Sequence, residues 1–154
     1  MVCAFIYTES RFNKGSTSGV GARGLMQIMP ATGKGIAQEL GVTNFSADRL
    51  YEPDLNIQFG TWYIKGLVDQ YKDVSIAAAG YNAGRGRTDR WRDNGTPLPT
   101  ETVYFMKKIV NTKDMYDKIY GKWWANPEVK KPNAFYQGID NFQNFAGDLI
   151  TGQR

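Results

Sequence analysis

Glu9 stands at the end of an apolar segment and directly before a stretch of turn-forming residues. The segment Val2–Ser10 is predicted to be a short helix with Phe5 and Ile6 facing inward, whereas Asn, Lys, Gly, Ser and Thr fill positions 13–19. A carboxyl group at the edge of an apolar helix loses hydration, and this loss raises its pKa toward neutrality. Glu9 is therefore a candidate general acid.

The residue types that are missing restrict the chemistry further. The chain has no histidine and one cysteine among 154 residues, which excludes Ser–His and Cys–His catalysis, histidine-based zinc sites and an internal disulfide. Proton transfer would have to come from carboxylates, tyrosines or lysines, of which carboxylates are the strongest candidates. Cys3 is expected to be a small core residue. Neither a cofactor nor a metal is predicted.

The overall composition predicts a single globular unit. The apolar fraction is 42% and the charged fraction 22%, so the chain can form a core. No apolar run is long enough to span a membrane, and the amino terminus lacks a secretory signal pattern. A domain cut from a longer precursor and export by another route both stay open. The net charge of +4 is spread along the chain, and nucleic-acid binding is not predicted.

The elements that position Glu9 are predicted to be helices. Apolar residues recur at helical spacing through most of the chain, and no strand pattern is comparably strong. The fold class is therefore all-α, with at most a short β-hairpin. The predicted elements are Val2–Ser10, Pro30–Leu40, a long helix opened by Pro53 and Asp54, a helix capped by Ser75 and stopped by Gly84, one or two turns over Arg85–Arg92, and a helix that begins at Glu101 behind a Thr100 cap.

The sequence predicts a boundary between two segments at residue 120. Residues 1–120 are predicted to form the main domain, and residues 121–154 a C-terminal extension. The extension begins as an extended wrap and continues as an amphipathic helix, with apolar positions from Phe135 to Leu149. We expect it to pack on the same domain, and it is also the candidate contact for a protein partner.

Three sequence blocks carry a family resemblance. They are Glu9-Ser10, residues 18–30 (SGVGARGLMQIMP) and residues 79–84 (AGYNAG). In order and spacing they resemble the signature motifs of the family 1 lytic transglycosylases, which are related to goose-type lysozymes. The resemblance covers Cys3 to about Tyr120 and implies a lysozyme-like fold. Gly80 departs from the pattern, because family members often carry alanine there.

The resemblance implies a reaction in which one carboxylate acts twice. The substrate would be the β-1,4 bond between N-acetylmuramic acid and N-acetylglucosamine in peptidoglycan. Protonated Glu9 would donate to the glycosidic oxygen and then, as carboxylate, take the proton of the muramyl 6-hydroxyl, leaving a 1,6-anhydromuramyl end. Such an internal attack needs no second acid. Asp48, Glu52 and Asp54 are expected to serve at helix starts instead.

The resemblance also implies a substrate cleft around Glu9. Tyr81 would orient or polarise the Glu9 carboxyl group, and Ser18 would steady the muramyl sugar. Structural roles stay open for others: Met29 could fill the core, and Glu101 could stabilise the first turn of its helix. The predicted substrate-binding residues are Ser18, Gln27, Met29, Tyr81, Asn82, Glu101 and Tyr104.

Three functions remain open on the sequence. The first is the lytic transglycosylase; the second is a muramidase on the same fold, which would activate a water molecule; the third is a wall-binding module without catalysis. Retention of Glu9 with its surrounding motifs argues against the third, and the Gln27 and Ser18 positions favour the first. The predicted partners are peptidoglycan glycan strands, and the predicted location is the cell envelope, in the periplasm or the cell wall.

Overall fold

A computed structural model describes residues 1–124 of the chain. Within that range the secondary structure is helical apart from two isolated antiparallel bridges, which join Thr17 to Arg23 and Arg23 to Ile28. The predicted all-α class is confirmed. In place of the possible short hairpin, residues 1–124 contain those two bridges. The elements are α1 Val2–Ser10, α2 Pro30–Glu39, the 3₁₀ helix η1 Ala47–Tyr51, α3 Pro53–Tyr71, α4 Val74–Ala83, α5 Arg85–Asn94 and α6 Thr100–Trp124.

The long helix α3 forms the centre of the fold. It packs against α2, η1 and α4, while α6 packs against both α1 and α4. Phe59 and Ile64 of α3 share one buried cluster with Phe5 of α1 and Ile109 of α6. Burying each of these large side chains contributes about 1.5–3 kcal/mol. The short helix α1, which ends beside Glu9, is therefore fixed by its own buried face.

Two predicted helix caps are wrong. Asp73, rather than Ser75, caps α4, and its carboxylate accepts a 2.9 Å hydrogen bond from the backbone N–H of Ile76. Thr100 is the first residue of α6 rather than the residue before it. Both errors come from choosing among neighbouring residues that can all cap a helix, because the backbone geometry that selects one of them is not visible in the sequence.

The predicted change of structure at residue 121 is also wrong, because α6 continues to Trp124. The rest of the predicted extension, including the amphipathic helix around Phe135 to Leu149, lies outside the described residues. In residues 1–124 no helix is long and apolar enough to cross a membrane.

The glycine that departs from the family pattern has a packing reason. A Cβ atom built on Gly80 would lie 2.9 Å from Leu67 Cδ2 and 2.9 Å from the Tyr71 ring. Both side chains belong to α3 and are buried. Helix α4 can thus approach α3 closely at this point because position 80 has no side chain.

Candidate active site

The end of α1 is tied to the segment that carries the second sequence block. The Ser10 hydroxyl donates to the Leu25 carbonyl at 2.8 Å and also lies 3.2 Å from the Ile6 carbonyl. Arg11 follows in the left-handed conformation, with φ of 52°, and its N–H bonds the Tyr7 carbonyl. Ser10, next to Glu9 in the chain, thus sets where α1 ends relative to the block.

Glu9 is half-buried on the last turn of α1. Among residues 1–124 no group donates a hydrogen bond to its carboxylate, and burial raises its pKa from 4.5 to about 8. The positive charge of Lys108 on α6 acts in the opposite direction but does not offset the loss of hydration. With a pKa of about 8, the Glu9 side chain is protonated in about nine-tenths of the molecules at pH 7. This is the protonation state that a general acid requires.

Asn56 holds the second block in place, and sequence reasoning missed it. Its side chain is fully buried in α3. Its Oδ1 accepts from the Met26 N–H at 2.7 Å, and its Nδ2 donates to the carbonyls of Leu50 at 2.7 Å and Arg23 at 2.9 Å. A polar residue on the buried face of a predicted helix was the signal that could have revealed it.

The side chains of Ser18 and Gln27 are partly satisfied within the protein. The Ser18 Oγ accepts from the Ala22 N–H at 3.0 Å, which leaves its own proton available. The Gln27 Nε2 donates to the carbonyls of Gly24 at 2.8 Å and Ser16 at 3.1 Å, which leaves its Oε1 available. Gln27 also has a φ of 49°, a conformation that non-glycine residues seldom adopt and that often marks functional sites.

Tyr81 and Asn82 lie at the end of α4 and have internal partners too. The Tyr81 hydroxyl donates to the Met26 carbonyl at 2.7 Å, and its ring packs edge-on against Phe5. The pKa of Tyr81 is raised well above 10, most strongly by burial and next by the charge of Glu9. The Asn82 Oδ1 accepts from the Thr102 hydroxyl at 2.7 Å, so its amide protons remain available. Thr102 is fully buried, and sequence reasoning missed it between Glu101 and Tyr104.

A cleft of about 230 Å³ lies between these elements. Four of the predicted substrate-binding residues line it, together with residues of α2 and α3 that were not predicted. Glu9, Ser18, Glu101 and Tyr104 are not among the lining residues, although the charge of Glu9 reaches Tyr81 at the cleft wall. The lining residues are Gln27, Ile28, Met29, Thr32, Ile36, Tyr63, Tyr81, Asn82, Ala83 and Gly84.

Met29, Glu101 and Tyr104 are exposed, and Met29 also belongs to the cleft lining. Met29 is 39% exposed and therefore does not fill the core, and Tyr104 is 68% exposed. Glu101 is exposed in the first turn of α6. Because Glu101, Tyr104 and Lys108 are three and four residues apart, they share one face of this helix. That face includes the cation that acts on Glu9.

The three acids expected at helix starts lie there: Asp48 in the first turn of η1, Glu52 at the N-cap position of α3, and Asp54 in the first turn of α3. Asp48 pairs with Arg23 at 2.6 Å, and Glu52 pairs with Arg49 at 3.0 Å. Neither caps a helix with its side chain. Within residues 1–124, burial raises the pKa of Glu9 and the charge of Lys108 lowers it, and no carboxylate contributes. The same range contains no group of three or more acidic, cysteine or histidine side chains that could hold a metal ion.

Comparison with known proteins assigns the chain to a family. The model of the transglycosylase SLT domain matches residues 1–103. The chain belongs to this family. The transglycosylase of Enterobacteria phage PRD1 is 42% identical over 89 residues, which cover 58% of this chain and 30% of that protein. The soluble lytic murein transglycosylase of Salmonella typhimurium is 40% identical over 142 residues, covering 84% of this chain and 21% of that protein.

Solved structures of the transglycosylase SLT family share the fold. The 70 kDa soluble lytic transglycosylase of Escherichia coli superposes with a TM-score of 0.72 at 30% identity, covering 78% of this chain and 22% of that one. An inactive glutamate-to-glutamine mutant of lytic transglycosylase Slt from Pseudomonas aeruginosa gives a TM-score of 0.71 at 30% identity, covering 78% and 21%. The predicted family and lysozyme-like fold are confirmed. The chain spans about a fifth to a third of the length of these relatives.

Proposed function

We propose that this chain is a peptidoglycan lytic transglycosylase in which Glu9 is the only acid and base. One observation carries the proposal: the Glu9 carboxyl group is half-buried, receives no hydrogen bond from the described residues, and has a pKa of about 8. A carboxyl group in this state can give a proton at neutral pH and accept one later in the same cycle. Relatives that are named lytic murein transglycosylases support the assignment.

The reaction needs two proton transfers at one site. Protonated Glu9 donates to the oxygen of the β-1,4 bond between N-acetylmuramic acid and N-acetylglucosamine as the bond from C1 to that oxygen breaks. The resulting carboxylate removes the proton from the muramyl 6-hydroxyl while that oxygen bonds C1. The products are a free 4-hydroxyl on one sugar and a 1,6-anhydro ring on the other. Glu9 ends protonated, and no water is consumed.

The hydrogen-bonding capacity left in the cleft, and at Ser18 outside its lining, suits an uncharged sugar. The Ser18 hydroxyl and the Asn82 amide can each donate, and the Gln27 Oε1 can accept. Hydroxyl and acetamido groups offer complementary acceptors and donors. Met29 and Tyr81 add contact surface beside these polar groups. We assign these five residues to substrate binding, and Glu101 and Tyr104 to the outer wall on α6.

The lack of any carboxylate effect on the pKa of Glu9 within residues 1–124 favours internal attack over hydrolysis. A glycosidase that activates water or forms a covalent intermediate needs a second carboxylate about 5–9 Å from the first. In residues 1–124 no carboxylate influences the pKa of Glu9, and Asp48 and Glu52 are paired with arginines. The muramyl 6-hydroxyl can serve as the nucleophile without such a residue.

The place of action follows from the substrate. Relatives include proteins named soluble and membrane-bound lytic murein transglycosylases. We infer that this chain acts on glycan strands in the cell envelope, in the periplasm or the cell wall.

Mass spectrometry of the fragments released from purified peptidoglycan tests the proposal. Anhydromuramyl ends, one water lighter than reducing ends, are expected from the unmodified chain. Reducing ends would replace the proposal with a muramidase, and no release at all would leave a binding module. Glu9→Gln should abolish release while Glu39→Gln, an exposed carboxylate on α2, should not; activity surviving in Glu9→Gln would remove Glu9 from its role.

A further inference from the structure

Helix α5 is a charged surface that adjoins the cleft. It carries four arginines and two aspartates, and Thr88 is its only buried residue. It begins immediately after Gly84, which lines the cleft. The core therefore makes little use of α5, although the helix starts directly after a residue that lines the cleft.

Two of its arginines have a structural role. The Arg85 guanidinium lies 5.7 Å from the centre of the Tyr63 ring and donates to the Gln70 side chain at 3.1 Å. The Arg92 guanidinium lies 5.3 Å from the centre of the Tyr71 ring. Contacts of this kind fix α5 against α3. Arg85 and Arg92 therefore have structural partners on α3.

The other two arginines have no partner in the described part of the chain. Arg87 and Arg90 are exposed, and no ion pair or hydrogen bond joins them to residues 1–124. Three residues apart, they share one face of α5. Of the two acids on this helix, Asp89 accepts a hydrogen bond from the Tyr71 hydroxyl at 2.9 Å. Asp93 is exposed and, like the two arginines, forms no ion pair among the described residues.

The two guanidinium groups are within reach of branches on a glycan in the cleft. At a rise of about 1.5 Å per residue, Arg87 lies about 5 Å and Arg90 about 9 Å along the helix from Gly84. An extended peptide covers about 3.3–3.6 Å per residue, so a branch of three or four residues spans that distance. Peptide branches of peptidoglycan carry free carboxylates, and guanidinium groups bind carboxylates in a planar, paired geometry.

We propose that Arg87 and Arg90 bind the carboxylates of peptide branches on the glycan strand and make peptide-bearing glycan the preferred substrate. This inference rests on the proposed function, since it requires a glycan in the adjoining cleft. Phosphate-rich wall polymers would also be attracted to arginines. The position beside Gly84 favours the branches, because they are attached to the strand that the cleft holds.

The test compares two substrates and two matched double variants. Peptidoglycan freed of phosphate polymers is used either intact or after an amidase has removed the peptides. Arg87→Gln with Arg90→Gln is compared with Lys107→Gln with Lys118→Gln, which removes two exposed charges of α6 that form no ion pair among residues 1–124. On intact material kcat/KM should fall roughly five-fold in the arginine variant, as expected for two exposed charge pairs. On peptide-free material it should stay within about two-fold of the unmodified chain.

A binding measurement separates this inference from the proposed function. Calorimetry measures binding of soluble glycan fragments, either peptide-bearing or peptide-free, in the Glu9→Gln background, with and without the arginine substitutions. Weaker binding to peptide-bearing but not to peptide-free fragments supports the inference even if no cleavage occurs. Equal losses on both materials, equal losses in the lysine control, or an effect that appears only when phosphate polymers are left in place would each overturn it.

Discussion

Replacing Glu9 by glutamine should make the folded protein more stable at neutral pH. Burial raises the folded-state pKa of Glu9 from 4.5 to about 8, so the folded chain holds this proton more tightly than the unfolded chain. Below about pH 4.5 both states are protonated, and there is no penalty. As the pH rises to about 8 the unfolded chain loses the proton while the folded chain retains it, so stability falls across this window. Glutamine cannot ionise and avoids the penalty.

The size of the effect follows from the pKa difference. Each pH unit between the two pKa values is equivalent to about 1.4 kcal/mol. At pH 7 the stability gained by the Glu9→Gln variant should therefore be about 3 kcal/mol, rising to a plateau of about 5 kcal/mol above pH 8. Water that reaches the exposed part of the side chain makes both figures upper values. For a domain of this size, about 3 kcal/mol corresponds to about 6–12 °C in Tm.

The assay is urea unfolding of the unmodified chain and the Glu9→Gln variant at about pH 4, 5.5, 7 and 8.5. Burial lowers the pKa of the Met1 ammonium from 8.0, but this group is the same in both proteins and its contribution cancels in the difference. Glu39→Gln, at an exposed position on α2, should change stability by less than about 0.5 kcal/mol at every pH. A Glu9→Gln difference that does not depend on pH, or that matches the control, would refute the desolvation of Glu9.

Three further outcomes can be measured. The rate of anhydromuramyl release should fall as the pH rises through about 8, since the acid form of Glu9 is lost there; a rate that keeps rising to pH 10 would contradict a Glu9 acid. Asn56→Ala should cost about 3 kcal/mol or more in urea unfolding, because two buried backbone groups and one partly buried backbone group lose their partner; a loss below about 1 kcal/mol would contradict that role. Gly80→Ala should destabilise by about 1 kcal/mol despite a better helix propensity, whereas Gly35→Ala, which has open space around it, should stabilise α2 by about 0.5–1 kcal/mol. Equal effects of these two substitutions would show that position 80 is not tightly packed.

The helices could be predicted because their signals are local. Val2–Ser10 agrees with the structure at both ends, and Pro30 and Pro53 open their helices as expected. Gly84 ends α4 with a φ of 85°, a conformation that favours glycine. Ser75 and Asp73 are both residue types that can cap a helix, and the sequence did not show which of them caps α4.

The contacts that shape the candidate site could not be predicted, because they join residues distant in the chain. Asn56 bonds Met26 across thirty positions, and Thr102 bonds Asn82 across twenty. The three sequence blocks include Met26 and Asn82 but neither of their partners, Asn56 and Thr102. A long-range pair depends on how helices pack, and no local pattern records it. The motifs could therefore name the side chains of the cleft without showing which of their atoms are already bonded.

Several polar side chains near Glu9 are hydrogen-bonded, whereas the Glu9 carboxyl group and the buried Thr8 hydroxyl have no partner among residues 1–124. Ser10, Gln27 and Tyr81 each bond a backbone carbonyl, and Asn82 accepts from Thr102. Each of these bonds fixes a side chain and lowers the reorganisation needed when substrate binds. The Glu9 carboxyl group receives no such bond in residues 1–124, although one donor would stabilise its charged form and lower its pKa. A fold that buries its acid and gives it no hydrogen-bond donor within residues 1–124 keeps that acid protonated and available to the glycosidic oxygen.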